Sequence, residues 1–220
     1  VHLAIGQTRA QLSSLIRDGL RVSQFPEAKI YLQITRGQAP RDHPFPVSSA
    51  PTTVLTFREL HPLDVSVRNA GVQAMSAEDI RWGRCDIKSV NLLANVLARQ
   101  RAKEAGVLEA ILVREGTVTE GSVSNVMVVR NGAVQTAPEG RRILSGVTRA
   151  IVLDLARKEG IPVAESFVTR EELLAASEVF LTGTTVEVLP VVRVDGHAIG
   201  GGSPGPVSQL LSRRFEALVG

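Results

Sequence analysis

The sequence predicts an α+β protein with a mixed sheet, divided into a smaller N-terminal and a larger C-terminal part. Three observations carry that reading. Strand-like runs recur along the chain, one of them opened by the hairpin signal Asn131-Gly132 and another turned by Asp195-Gly196. Runs with helical spacing are set apart from one another, so no regular strand–helix–strand alternation develops. Around Pro62, between Leu60 and Leu63, the patterning lapses and separates residues 1–62 from residues 63–220.

In the smaller part, Thr8, Leu12, Leu15, Ile16 and Leu20 are spaced for a helix, with Gly19 placed to stop it. Lys29 to Thr35 alternates as a half-buried strand ended by Gly37, and Thr53 to Phe57 forms a second strand. Between them, Ala39 to Pro46 is a loop stiffened by three prolines. In the larger part, Val65 to Asn69 reads as a strand and a polar stretch leads on to Lys88. Leu92, Leu93, Val96 and Leu97 mark a helix reaching about Ala105, with Gly106 as its stop. Strands follow at Leu108 to Arg114, Val123 to Arg130 and Ala133 to Thr136. A helix opens at Gly146-Val147-Thr148 and ends at Gly160. Val163 to Val168 is a strand, Arg170 to Ala176 a short helix, and Glu178 to Leu181 and Val186 to Val194 are strands before a last helix from Pro206 to about Leu218.

Composition excludes several classes. With 44% hydrophobic and 21% charged residues in 220, the chain is an ordinary globular one and not a disordered one. No run approaches the length of a membrane span, and Val1-His2-Leu3-Ala4 lacks a charged segment before an apolar core. The expectation is a soluble, cytoplasmic protein. Cys85 is the single cysteine, so no internal disulfide or thiolate zinc cluster can form, and His2, His61 and His197 lack companions at metal-ligand spacing. A net charge of +3 admits an anionic partner, but the basic residues are interspersed with acidic ones and only 4% of residues are aromatic, which argues against nucleic acid. The chain opens on valine directly upstream of a helix, and we expect the numbering to begin inside a longer gene product.

The chemistry centres on Arg84-Cys85-Asp86-Ile87-Lys88-Ser89-Val90-Asn91-Leu92-Leu93. A lysine flanked by apolar residues, at the mouth of a helix and near Arg81 and Arg84, is expected to be partly desolvated. That makes it a nucleophilic amine of the kind Schiff-base chemistry needs. The alternative is a lysine salt-bridged to Asp86.

The run from Cys85 through Asn95 resembles the cofactor-lysine segment of the fold-type IV pyridoxal-phosphate enzymes, and is especially similar to that of D-amino acid aminotransferases. Pyridoxal 5′-phosphate needs an amine, a partner for its ring nitrogen and a phosphate cradle. The resemblance implies that Lys88 holds the cofactor and that Glu120, in Thr119-Glu120-Gly121-Ser122-Val123-Ser124-Asn125, contacts the ring nitrogen, with Ser122 and Ser124 as hydrogen-bond donors nearby. Leu144-Ser145-Gly146-Val147-Thr148 and Thr182-Gly183-Thr184-Thr185 resemble the family's two phosphate-holding segments, with Gly146, Val147, Thr148 and Thr184 at the matching positions and Leu144 against the ring.

Thr35-Arg36-Gly37 followed by Arg41-Asp42-His43 resembles the substrate-carboxylate trap of D-amino acid aminotransferases, where the arginine and histidine grip the α-carboxylate. The implied reaction is transamination between a D-alanine-like amino acid and a 2-oxo acid such as 2-oxoglutarate, in a homodimer, with no metal. A branched-chain L-amino acid aminotransferase and a 4-amino-4-deoxychorismate lyase are the alternatives that would share Lys88 and Glu120. The family's phosphate-binding arginine and substrate tyrosine come from an N-terminal region that we expect to precede residue 1 of this numbering.

Overall fold

A computed structural model describes residues 2–219, which divide into two compact units, Val1–Pro62 and Leu63–Gly220. In the first unit, β1 (Ala28–Thr35) and β2 (Thr52–Glu59) pair antiparallel in full register, Ala28 opposite Glu59 and Thr35 opposite Thr52. Helix α1 (Arg9–Ser23) starts in a capping box, in which Thr8 and Gln11 satisfy one another's backbone N–H groups. Gly19 does not end this helix. It lies inside it because the Phe57 ring occupies the space of its missing side chain, where a Cβ would sit 2.0 Å from the ring. The helix instead stops at Gln24, in the left-handed conformation.

The second unit is organised around one ten-stranded mixed sheet. Its strands are β3 (Val72–Glu78), β4 (Glu109–Arg114), β5 (Thr117–Gly121), β6 (Asn125–Arg130), β7 (Ala133–Thr136), β8 (Val163–Glu165), β9 (Val168–Thr169), β10 (Glu178–Gly183), β11 (Glu187–Val194) and β12 (His197–Ala198). The order is β8-β7-β6-β10-β11-β3-β4-β5-β9, with β12 against β11. The pairs β11–β3, β3–β4 and β7–β8 are parallel and the others antiparallel, which makes the architecture α+β as the sequence predicts.

Helices α4 (Val147–Lys158) and α6 (Pro206–Val219), with the short α5 (Arg170–Leu174) between them in the chain, are the larger late helices. Together α4 and α6 enclose a core of Met127, Val152, Leu153, Phe180, Val188 and Leu211 against the sheet. The first turn of α6 is capped from a distance. The buried Glu178 carboxylate accepts the Val207 and Ser208 N–H groups at 2.9 and 2.8 Å and the Ser208 hydroxyl at 2.7 Å. Glu178→Ala is therefore expected to cost about 1–3 kcal/mol in urea unfolding, because it strands these donors in the interior.

Three expectations fail here. Val65 to Asn69 is not a strand but the helix α2 (Val65–Ala70), since the Asp64 side chain caps it by accepting from Ser66 N–H at 2.7 Å. The polar stretch after it contains β3, a central strand. Helix α3 (Leu93–Glu104) forms as expected but packs the opposite way. Its small residues Ala98 and Ala102 are buried against Ala110 and Leu112, while Leu92, Leu93, Val96 and Leu97 are exposed. Small side chains let the helix approach the sheet closely, and the leucines and valines then lie on its outer side.

Candidate active site

Lys88 sits in the irregular segment between β3 and α3 and its side chain is exposed. The expectation of a desolvated lysine flanked by cations does not hold for this chain. Arg84 pairs with Asp86 at 2.7 Å, so Asp86 is not the partner of Lys88, and Arg81 turns inward. What fixes Lys88 is its backbone. Upstream, Cys85 N–H donates to Arg141 O at 2.9 Å, and downstream Asn95 Nδ2 donates to Ser122 O at 2.8 Å. These two bonds stitch the lysine segment to the loop before α4 and to the turn after Glu120. Burial pushes the Cys85 thiol up and its Sγ donates to Trp82 O, so it is a structural thiol here and not a nucleophile.

Glu120 lies on β5 and is buried. The strand directs its carboxylate into a group of polar partners. The Arg81 guanidinium pairs with Oε1, Asn125 Nδ2 donates to Oε2 at 2.9 Å, and Leu144 N–H reaches the two oxygens at 3.1 and 3.0 Å. Burial raises the Glu120 carboxyl above its ordinary range, and the Arg81 charge and hydrogen bond only partly pull it back.

Arg81 is in turn held by Asp79, whose oxygens accept from Nε and Nη2 at 2.9 and 2.8 Å, and its Nη2 also reaches Arg142 O at 3.1 Å. Arg114 pairs with Asp79 at 3.0 Å. Burial alone would raise Asp79, but the Arg81 hydrogen bonds and charge and the Thr119 hydroxyl bring it down to about 2. Two guanidinium groups and two carboxylates thus form a charge-balanced, buried cluster.

Ser122 and Ser124 are both buried, and their hydroxyls donate to one carboxylate, Glu109, at 2.5 and 2.7 Å. Glu109 also accepts Ser122 N–H at 3.1 Å. Neither serine presents a free proton in this arrangement; the pair pins the 121–125 turn to β4.

Helix α4 starts at Gly146, which supplies no side-chain cap, and its first turn carries no acidic residue. Its first N–H groups are therefore open to an anion. Val147 is exposed and Thr148 buried there. On the neighbouring strand β10, Thr182 lies opposite Asn125, and the backbone at Gly183 lies beside Val123 and Ser124. Thr184 is exposed in the turn that follows. The Thr182 hydroxyl is buried, with no hydrogen-bond partner among the described residues.

The second unit thus brings Glu120, Ser122, Ser124, Leu144, Gly146, Val147, Thr148 and Thr184 to the ends of β5, β6 and β10 and the start of α4, and the segment that carries Lys88 is tied to the same region through Cys85 and Asn95. Arg41 and His43 belong to the first unit, both exposed in the proline-rich loop, where Arg36 stacks over Phe45 at 3.8 Å.

A buried acid at one end and an uncapped helix start at the other suit a flat, phosphorylated heteroaromatic cofactor. The sequence model of a family described as Amino-transferase class IV matches residues 2–194. The chain belongs to this family. It is 45% identical over 217 residues to a D-alanine aminotransferase of Bacillus licheniformis, covering 98% of this chain and 76% of that one. To a D-alanine aminotransferase of Staphylococcus haemolyticus it is 40% identical over 219 residues, covering 100% of this chain and 78% of the relative. Among solved structures, a branched-chain amino acid aminotransferase from Escherichia coli superposes with a TM-score of 0.87 at 28% identity, covering 98% of this chain and 73% of that one. A branched-chain amino acid aminotransferase from Thermobaculum terrenum, solved in its PLP form, gives 0.81 at 26% identity, covering 99% and 72%. The fold is that of the fold-type IV enzymes, and the class works with pyridoxal 5′-phosphate.

Sequence reasoning missed Arg81 as a partner of Glu120 and gave no role to Asp79, Glu109 or Asn125. Asp79 and Arg81 stand two apart just past the end of β3, where the Arg81 backbone N–H and guanidinium both turn back on Asp79. Asn125 was in plain view at the end of the Glu120 segment. Glu109 carried no local signal, since only the fold brings β4 against the 121–125 turn.

Proposed function

We propose that this protein transfers the amino group of a D-amino acid, D-alanine or a close relative, to a 2-oxo acid. The observation that carries the proposal is the buried Glu120 carboxylate, braced by Arg81, Asn125 and the Leu144 N–H, in the same unit as the open start of α4. When bound, pyridoxal phosphate supplies a carbonyl carbon for amines and a ring that withdraws electrons from the substrate Cα.

The residues divide the remaining work. The α4 N–H groups at Val147 and Thr148, with Thr184, would hold the phosphate, and Leu144 would pack against the ring. Glu120 holds a proton at the ring nitrogen, and its raised proton affinity suits a carboxyl that shares one. The Lys88 amine would hold the cofactor through its carbonyl carbon, and as a free amine it would carry the proton from the substrate Cα. Arg41 and His43 would grip the substrate carboxylate, a fork of donors whose placement of that group would select between D- and L-substrates. Ser122 and Ser124 enter through Glu109, by fixing the turn that follows Glu120. A homodimer and a cytoplasmic location complete the proposal, and the exposed Leu93, Val96 and Leu97 offer a second copy an apolar face. Among the described residues no helix is long and apolar enough to cross a membrane.

The relatives named as D-alanine aminotransferases, 36–45% identical, support the D-amino acid reading over the branched-chain one suggested by the structural neighbours at 26–29%. An absorption spectrum of the protein loaded with pyridoxal phosphate separates the two. Bleaching of the long-wavelength band by D-alanine and not by L-leucine is expected, and the reverse would overturn the stereochemical assignment. A lyase of the 4-amino-4-deoxychorismate type would turn over without consuming a 2-oxo acid. Arg41→Ala is expected to raise the KM for D-alanine by roughly tenfold to a hundredfold, the worth of a charge-assisted hydrogen bond of about 1.5–3 kcal/mol. An unchanged KM would place the carboxylate elsewhere.

A further inference from the structure

We propose that Asn125 is a positioning residue that sets the separation between the ring-nitrogen acid and the phosphate-binding helix start; this rests on the reading of Glu120 and α4 given above. The two groups come from different elements. Glu120 is on β5, while Leu144 and Gly146 end the connection from β7 to α4. Strand pairing does not link them directly.

Asn125 does link them. Its Nδ2 donates one hydrogen to Glu120 Oε2 and the other to Leu144 O, both at 2.9 Å. The Leu144 N–H returns to the Glu120 carboxylate at 3.1 and 3.0 Å, which closes a ring of hydrogen bonds through Glu120, Asn125 and the Leu144 peptide. The amide oxygen fills the space beside Gly146, where a Cβ would lie 2.3 Å from Asn125 Oδ1. The residue at the cap of α4 must therefore be glycine for the asparagine to fit. Asn125 is buried and paired in register with Thr182 on β10, so the sheet fixes its backbone on the other side. One side chain therefore spaces the acid, the helix start and the neighbouring strand.

A rigid ligand anchored at both ends depends on that spacing more than either end does alone. Two half-sites on one flat molecule reinforce each other only when their separation matches it, and loss of alignment removes the reinforcement without removing the half-sites. Asn125→Ala is thus expected to weaken binding of pyridoxal phosphate to the apoprotein by about tenfold or more, while binding of pyridoxal and of inorganic phosphate, each measured alone, changes by less than about threefold.

The experiment is a set of equilibrium titrations of the apoprotein with those three probes, on the parent, Asn125→Ala, Asn125→Asp and Glu120→Gln. Asn125→Asp keeps the shape but replaces the two donors with a carboxylate facing Glu120, so it should lose pyridoxal phosphate at least as strongly. It also decides the matter should the alanine variant fail to fold. Equal weakening of all three probes would mean general disruption and would overturn the inference. So would unchanged pyridoxal phosphate binding in either Asn125 variant while Glu120→Gln alters the bound cofactor's spectrum. If Glu120→Gln leaves both that spectrum and the affinity unchanged, the reading of Glu120 itself falls.

Discussion

Lys88→Ala is expected to lower transamination by at least about 10²–10⁴-fold, the range for losing a positioned proton carrier, and to do so with little change in stability. Two features of the structure separate the effects. The Lys88 side chain is exposed, and among the described residues no hydrogen bond or ion pair holds it, so its removal leaves no buried group unsatisfied. Surface replacements of that kind shift stability by about 0.5 kcal/mol or less. The segment's own anchors, Cys85 to Arg141 and Asn95 to Ser122, run through groups that the substitution does not touch. Turnover measured with excess pyridoxal phosphate and a 2-oxo acid acceptor, beside a urea unfolding curve, checks both halves. Turnover near the parent level in a folded Lys88→Ala protein would remove the lysine from its role. A matching loss of stability would instead make it a structural residue.

Local patterning carried much of the architecture because most elements here are strands and helices whose own residues alternate or recur clearly. β1, β2, β6, β10 and β11 lie where their apolar runs place them, and the helices from Gly146 and Pro206 begin where glycine and proline allow. The failures share a cause: each depends on a neighbour outside the run itself. Gly19 stays inside α1 because of Phe57, 38 positions on in the numbering. Val65 to Asn69 alternates like a strand, yet a single capping bond from Asp64 selects a helix. The apolar stripe of α3 suggests burial, but the alanines face the sheet.

The site divides in the same way. Lys88, Glu120 and the two phosphate-type segments are short local signatures and stand out in the chain. The groups that brace them are single polar residues. Asp79, Arg81, Glu109 and Asn125 acquire meaning only when β3, β4, β5 and β6 are brought together.

Arg81→Ala is expected to destabilise the protein by about 3–5 kcal/mol at neutral pH, the usual cost of removing one partner from a buried ion pair. The guanidinium serves two carboxylates, and the Asp79, Arg81 and Glu120 side chains are only 0%, 6% and 7% exposed. After its removal, Asp79 keeps Arg114 at 3.0 Å, but Glu120 keeps only uncharged donors, Asn125 and the Leu144 N–H. The loss should therefore depend on pH. Asp79, held at about 2 against an ordinary 3.8, contributes stability that is present above 3.8 and fades as the pH falls toward 2. Glu120 works in the opposite sense. Its raised carboxyl costs stability while ionised, and that cost is relieved as the pH falls through its folded value toward 4.5. Without Arg81 the Glu120 carboxyl rises further, so acid relieves the variant more than the parent, while the parent loses the advantage that Asp79 supplies. The Glu120 term makes the gap between the two proteins widest near pH 7 and narrower toward pH 4, and the Asp79 term narrows it further only below 3.8. Urea unfolding at the two values tests the sign. A gap that widens in acid would mean that Glu120 is not the charge Arg81 neutralises. Arg81→Lys, which keeps the charge but loses the two-armed grip on Asp79, should fall between parent and alanine variant.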